Sequence, residues 1–218
     1  MINKTVEIIP AILTSDPQEL KQLINEAEGV VEGVQIDVLD GQFAKNETID
    51  PSIFQTIETN LNLDFHLMTK EPVDWIEKST RVLAKRIIGQ VEMMENQMEF
   101  IEKVIETGTL VGLAVDIATP VSDLDPEVIM SLDAILVMSV PAGFSGQKFD
   151  DSVFEKIEKL NKKREGGTFK YKICVDGGVT TDNAKKLVEV GADELFIGKR
   201  LFEGDLKENI EGYRKVVS

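Results

Sequence analysis

The sequence predicts a (β/α)8 barrel, and two observations carry that reading. Short apolar runs alternate with longer amphipathic ones from end to end, and eight such units in 218 residues average roughly 27 residues each, the repeat of an eight-fold barrel. Three of the runs, Ile36-Asp37-Val38-Leu39-Asp40-Gly41, Asp64-Phe65-His66-Leu67-Met68 and Cys174-Val175-Asp176-Gly177-Gly178, are apolar stretches that close on an acid or imidazole, with turn residues close behind. A parallel barrel strand reads this way when it delivers a functional side chain to the carboxyl end of the sheet.

The elements follow in order. The first strand, 7–13, leads into helix 17–28, where Asp16-Pro17 sets a cap residue before a proline at the first helical position. Strand 34–39 precedes helix 51–60, and strand 63–68 precedes helix 72–83. Strand 86–91 is followed by helix 96–107, which Gly108 terminates where a left-handed cap would fall. Strand 110–116 pairs with helix 125–131, and strand 134–139 with helix 151–163. Between the last two lies Pro141-Ala142-Gly143-Phe144-Ser145-Gly146-Gln147, whose glycines permit close backbone approach to a ligand and whose length suits a mobile lid. Strand 170–175 meets helix 181–190, opened by Thr181-Asp182 and closed by Gly191, and strand 194–197 meets helix 206–217. A doubly wound open sheet is the rival fold. It calls for a glycine-rich fingerprint after the first strand, where the sequence instead runs Ala11-Ile12-Leu13-Thr14-Ser15-Asp16. No linker-like stretch splits the chain, so 1–218 reads as one catalytic domain.

The formal net charge of −15 argues against a generic nucleic-acid or anionic-membrane partner. It leaves room for a phosphate ligand, because local backbone donors bind anions inside acidic proteins. One cysteine, Cys174, precludes an internal disulfide and fits a reducing compartment; within an apolar strand it reads as a buried structural thiol. The N-terminal segment shows no basic region followed by a long apolar stretch, and no run of about 18 apolar residues spans a membrane. The expected location is cytoplasmic.

The candidate chemistry concentrates at strand ends. Asp37 and Asp176 are expected to end the second and seventh strands, facing each other across the barrel mouth. One carboxylate can then remove a proton from carbon while the other returns it from the opposite side. Each acid alone can equally cap the loop that follows it. His66, the one histidine in the chain, is either a packed core residue or, beside the two carboxylates, a metal ligand. Asp37, His66 and Asp176 would form an O, N, O set adequate for a divalent cation with open positions. Gly177-Gly178 and Gly198 follow the last two strands, where barrels bind phosphate, and Lys199 and Arg200 add charge. Met68 and Met138 offer an apolar lining.

Together these residues resemble the ribulose-phosphate 3-epimerase family, from Ile9-Pro10-Ala11-Ile12-Leu13 to Leu195-Phe196-Ile197-Gly198. The most specific stretches are Ile36–Gly41, His66-Leu67-Met68, Met138-Ser139-Val140-Pro141-Ala142-Gly143-Phe144-Ser145-Gly146-Gln147 and Val175-Asp176-Gly177-Gly178. The resemblance implies a barrel of the ribulose-phosphate-binding type and an isomerase interconverting ribulose 5-phosphate and xylulose 5-phosphate through an enediolate. It implies Asp37 and Asp176 as the proton-transfer pair and as ligands, with His66, of a divalent cation (Zn, Mn, Fe or Mg). It implies Met68 and Met138 against the reacting carbons and Gly146, Gly177, Gly178 and Gly198 at the phosphate; Gly143, from the loop, and Lys199, from its charge, are expected as further substrate contacts. A homo-oligomer is expected.

The chain departs from the family pattern at several positions. Gln35 stands where the family has a histidine that serves as the fourth ligand, and its amide oxygen would be a neutral, harder donor. Ala11 replaces a serine, Leu39 a methionine, Gln90 a histidine, and Lys199 a serine. Two alternatives therefore stand beside the main reading: an epimerase or isomerase of another ketose phosphate such as a hexulose 6-phosphate, and a non-catalytic phosphosugar-binding homologue. A decarboxylase of the orotidine-monophosphate type needs a lysine between two aspartates, and Asp37-Val38-Leu39-Asp40 has none.

Overall fold

Eight parallel strands close on themselves in sequence order in the computed structural model, which describes residues 6–166 and 169–218. Residues 1–5, half of the N-terminal segment read above for a targeting signal, and residues 167–168 lie outside the described residues. The strands and helices run β1 (Glu7–Ile12), α1 (Pro17–Ala27), β2 (Gly33–Leu39), β3 (Asn62–Met68), α2 (Ile76–Thr80), β4 (Arg86–Gln90), α3 (Gln97–Glu106), β5 (Leu110–Val115), β6 (Ala134–Met138), α4 (Val153–Glu165), β7 (Lys172–Asp176), α5 (Thr181–Glu189), β8 (Glu194–Ile197) and α6 (Leu206–Val217). The open doubly wound sheet is excluded, because β1 pairs with β8 as well as with β2.

The Asp16 side chain accepts from Gln18 N at the start of α1, as the sequence places it; on α5 the cap is Thr180, one residue before the expected Thr181-Asp182, and its N–H donates to Asn183 Oδ1 at 2.8 Å. Three connections are less helical than expected. Segment 51–60 forms only a 3₁₀ helix over Pro51–Thr56, and 125–131 only a 3₁₀ turn over Ile129–Ser131. Segment 72–83 divides into a 3₁₀ helix, Pro72–Trp75, and the short α2. The first of these is rich in Ile and Thr, which are weak helix formers, and Phe54 and Ile129 dock in the core, so a short 3₁₀ segment serves each crossover.

Alternation along each strand sorts the core into two shells. On β2, Val34, Ile36 and Val38 point outward and pack in the layer between barrel and helices, as do Phe65 and Leu67 on β3. Ile9, Ala11, Leu39, Met68, Ile88, Met138 and Phe196 point inward and fill the barrel. Cys174 belongs to this inner shell, fully buried, so it is the structural thiol expected. The inward positions at the N-terminal end are charged instead. Arg86 pairs with Asp64 and, at 2.6 Å, with Glu194, which also meets Lys172; these residues line a cavity of about 250 Å³ at that end. Functional residues therefore have to emerge from the opposite, C-terminal mouth. No helix among the described residues is long and apolar enough to cross a membrane.

Candidate active site

The inward row of β2 carries Gln35, Asp37 and Leu39, because outward Ile36 and Val38 fix the phase of the strand. Register then sets the neighbours: Asp37 lies beside His66 on β3, and Met138 on β6 beside Asp176 on β7. Asp176 is the last residue of β7, as expected. Asp37 is not the last of β2. It sits two residues inside, because Val38 and Leu39 continue the ladder against Leu67 and Met68. This depth brings Asp37 level with His66.

Ligand-capable atoms of Asp37, His66 and Asp176 all lie within 4.8 Å of one another. Gln35 joins them from below. Its Nε2 donates to Asp37 Oδ1 at 2.8 Å and to Asp176 Oδ2 at 2.6 Å, so one amide bridges the two carboxylates. His66 Nδ1 lies 3.1 Å from the same Asp37 Oδ1, and its Nε2 lies 2.7 Å from Gln90 Oε1. Gln35, His66 and Gln90 are all fully buried, forming the floor of the site. Ser139 ties the end of β6 to that of β7, its hydroxyl donating to Asp176 O at 2.9 Å.

Electrostatics separates the groups. Burial, and then the charge of Asp37, pushes the Asp176 carboxyl up to about 7; the charge of His66 and the Gln35 hydrogen bond only partly offset this. Burial opposes the His66 imidazolium, but the hydrogen bond and charge of Asp37, the charge of Asp176 and the contact with Gln90 outweigh it, and the pKa stands above its ordinary value. The cluster thus holds more negative charge than its buried surroundings favour, which is the condition under which a cation is welcome.

Above the floor opens a cavity of about 520 Å³ lined by Asp37 and Asp176 at the bottom and by Met68, Met138, Gly143, Gly146, Gly177, Gly178, Gly198 and Lys199 around it. All eight residues expected to contact substrate therefore face one space. Gly177 and Gly178 have φ of 107° and 59°, and a Cβ on them would come within 2.5 Å of Val140 Cγ2 and 2.8 Å of Phe149 N. Only glycine fits this turn, which brings main chain to the cavity wall. Gly198 is not so constrained: a Cβ there would meet Ala11 O at an ordinary 3.6 Å.

Several wall residues escaped the sequence reading as site members. Phe144, half exposed at 50 %, hangs over the mouth from the loop after β6. Glu19 reaches the cavity from α1 and accepts a hydrogen bond from the Thr14 hydroxyl. Gln90, seen in sequence only as a departure, contacts His66 directly. The signal available for it was phase: Arg86, Ile88 and Gln90 share the inward face of β4.

The sequence matches the Ribulose-phosphate 3 epimerase family over residues 7–202. Relatives named ribulose-phosphate 3-epimerase include one from Bacillus subtilis, 34% identical over 96% of this chain and 98% of its own length. The chain belongs to this family. A further member from Escherichia coli is 32% identical over 95% of this chain and 94% of its own, and one from Treponema pallidum 30% identical over 94% and 95%. Solved barrels of other names share the fold alone. A 3-hexulose-6-phosphate synthase superposes with a TM-score of 0.71 at 12% identity, over 98% of this chain and all (100%) of that one. An orotidine 5'-phosphate decarboxylase from Pyrococcus horikoshii gives 0.65 at 14% identity, over 96% and 98%. The floor of the site in this chain carries two amides, Gln35 and Gln90, at the positions where the resemblance led to an expectation of histidine.

Proposed function

We propose that this chain is a ribulose-phosphate 3-epimerase, interconverting ribulose 5-phosphate and xylulose 5-phosphate by proton transfer at carbon 3. The carrying observation is the pair of carboxylates, Asp37 and Asp176, on one cavity floor and joined through a single amide. The hydrogen on carbon 3 is acidic because it lies next to the ketone. One carboxylate removes it and leaves an enediolate; the other carboxyl donates a proton to the opposite face. The pair needs one ionised and one protonated member, and burial, followed by the charge of Asp37, pushes Asp176 to about 7 and supplies that asymmetry at neutral pH. In the reverse direction the two exchange roles. Burial beneath Met68 and Met138 keeps water from the enediolate, so its proton returns from the enzyme.

The donor set fits a divalent cation at Asp37, His66 and Asp176. Gln35 Oε1 is buried with no donor among the described residues, so a half-turn of the amide would bring an oxygen to the position its nitrogen holds between the carboxylates. A cation there supplies electrostatic stabilisation of charge developing on the substrate oxygens. An amide in place of imidazole favours Mn or Mg over Zn.

For the phosphate, we assign the corner made by Gly146, Gly177, Gly178 and Gly198, with Lys199 adding charge and Gly143 shaping the loop wall. Residues 1–218 are taken as one catalytic barrel domain working in the cytoplasm as a homo-oligomer, the last of which light scattering tests. Neither the hexulose epimerase nor the non-catalytic reading accounts as well for an intact carboxylate pair within this family. The deciding experiment is turnover of ribulose 5-phosphate in D₂O with Mn²⁺. The wild type should place deuterium at carbon 3 of both epimers. Asp37→Asn and Asp176→Asn should each lose conversion, and at most one epimer should exchange in each. A wild type that leaves ribulose 5-phosphate unchanged refutes the proposal.

A further inference from the structure

His66 faces two acceptors at once, and which nitrogen carries its proton decides whether it can bind a cation. Nδ1 points at Asp37 Oδ1, 3.1 Å away, and Nε2 points at Gln90 Oε1, 2.7 Å away. The contact with Gln90 is sealed from water, since His66 and Gln90 are each 0% exposed, whereas Asp37 borders the cavity. An isolated neutral imidazole in this position would give its proton to the carboxylate, because a hydrogen bond to a charged acceptor is the stronger one. Nδ1 would then be an N–H and useless as a ligand. The shorter contact on the opposite side competes for that proton. An amide oxygen only accepts, so an Nε2–H pointing at Gln90 leaves the Nδ1 lone pair directed at the carboxylate group. Gln90 Nε2 is buried with no acceptor among the described residues, so the contact of its Oε1 with His66 is the hydrogen bond that this side chain makes there.

We propose that Gln90 is a positioning residue that holds His66 as the Nε2–H tautomer, keeping Nδ1 available to a divalent cation at Asp37 and Asp176. The proposal rests on the cation site assigned above, but not on turnover. Outer partners of this kind on a ligating imidazole are typically worth about 10–100-fold in metal affinity.

The chain's single histidine makes the test direct, since ¹⁵N-histidine labelling gives one imidazole and no assignment problem. Its tautomer is read from long-range ¹H–¹⁵N spectra, in chelated protein above the pH at which the ring loses its charge, and again with Zn²⁺, which is diamagnetic. The wild type should show Nε2–H in both states. Gln90→Met keeps the volume and removes the acceptor; it should shift the chelated ring toward Nδ1–H and weaken Zn²⁺ about 10–100-fold by competition titration. Gln90→Glu restores an acceptor and should restore the tautomer, which a merely packing role would not do. Peak dispersion in the same spectra reports whether each variant is folded. A wild-type ring in the Nδ1–H form overturns the proposal, as does a folded Gln90→Met with wild-type tautomer and affinity, or a wild type that binds no Zn²⁺. An enzyme that shows the Nε2–H tautomer and binds Zn²⁺ but leaves ribulose 5-phosphate unchanged would refute the epimerase reading and support this one.

Discussion

Replacing Asp176 with asparagine should stabilise the chelated protein at alkaline pH while cutting its activity by orders of magnitude. Burial first, and the charge of Asp37 second, raise the Asp176 carboxyl from 3.8 to about 7. A carboxyl with a folded pKa above its unfolded one binds its proton more tightly in the folded state. Its contribution to stability is full below about pH 3.8 and is lost as pH rises through about 7. The gap of about 3 pH units (7 − 3.8), at about 1.4 kcal/mol each, means that ionised Asp176 costs the fold on the order of 4 kcal/mol. Asparagine keeps an oxygen to accept from Gln35 Nε2 and carries no charge. Urea unfolding in chelator at pH 8 should therefore show Asp176→Asn more stable by about 2–4 kcal/mol, with the gain fading toward zero near pH 4. Millimolar Mn²⁺ should narrow the gap by binding the wild type more tightly than the variant. Turnover should fall about 10²–10⁴-fold. A difference in stability that stays flat between pH 4 and 8, or a variant less stable at pH 8, would refute the reasoning that like charge and burial strain this carboxyl.

Gln35→His should tighten Zn²⁺ on the order of 10-fold, by replacing a neutral oxygen donor with imidazole; competition titration against a chromophoric chelator measures it, and unchanged affinity would remove Gln35 from the ligand set. Lys199→Ala, at an exposed position beside the phosphate corner, should raise KM about 2–5-fold at low ionic strength with little change in kcat, an effect that added salt erases. At the closed end, Arg86→Met removes the ion-pair partner of Asp64, 9% exposed, and leaves Glu194, 2% exposed, with Lys172 alone, and should cost about 3–5 kcal/mol. Neutralising both acids as well, with Asp64→Asn and Glu194→Gln, should recover part of that loss in thermal unfolding. No recovery would mean that Arg86 acts through packing rather than charge.

Strand positions, barrel class and the inward placement of the candidate site residues were legible in the sequence because period-two alternation is a local property. Ile36 and Val38 must face the helices, so Asp37 must face the barrel axis, whatever the rest of the chain does. The turn at Gly177-Gly178 was equally legible, since only glycine adopts its backbone. Helix extents were less so: 51–60 and 125–131 show that a short docked 3₁₀ segment can serve where amphipathic pattern suggests a full helix. How the floor residues of the site meet one another was beyond sequence. Gln35 and Asp176 are 141 positions apart and meet only because the barrel closes β1 on β8. The same closure carries Asp37 close enough to raise the Asp176 pKa. Residue type established by itself that Gln35 departs from an imidazole. Which end of the amide faces the carboxylates, and that Gln90 meets the far side of His66, were decided by register and burial, because hydrogen-bond direction inside a dry core depends on every neighbour the fold supplies.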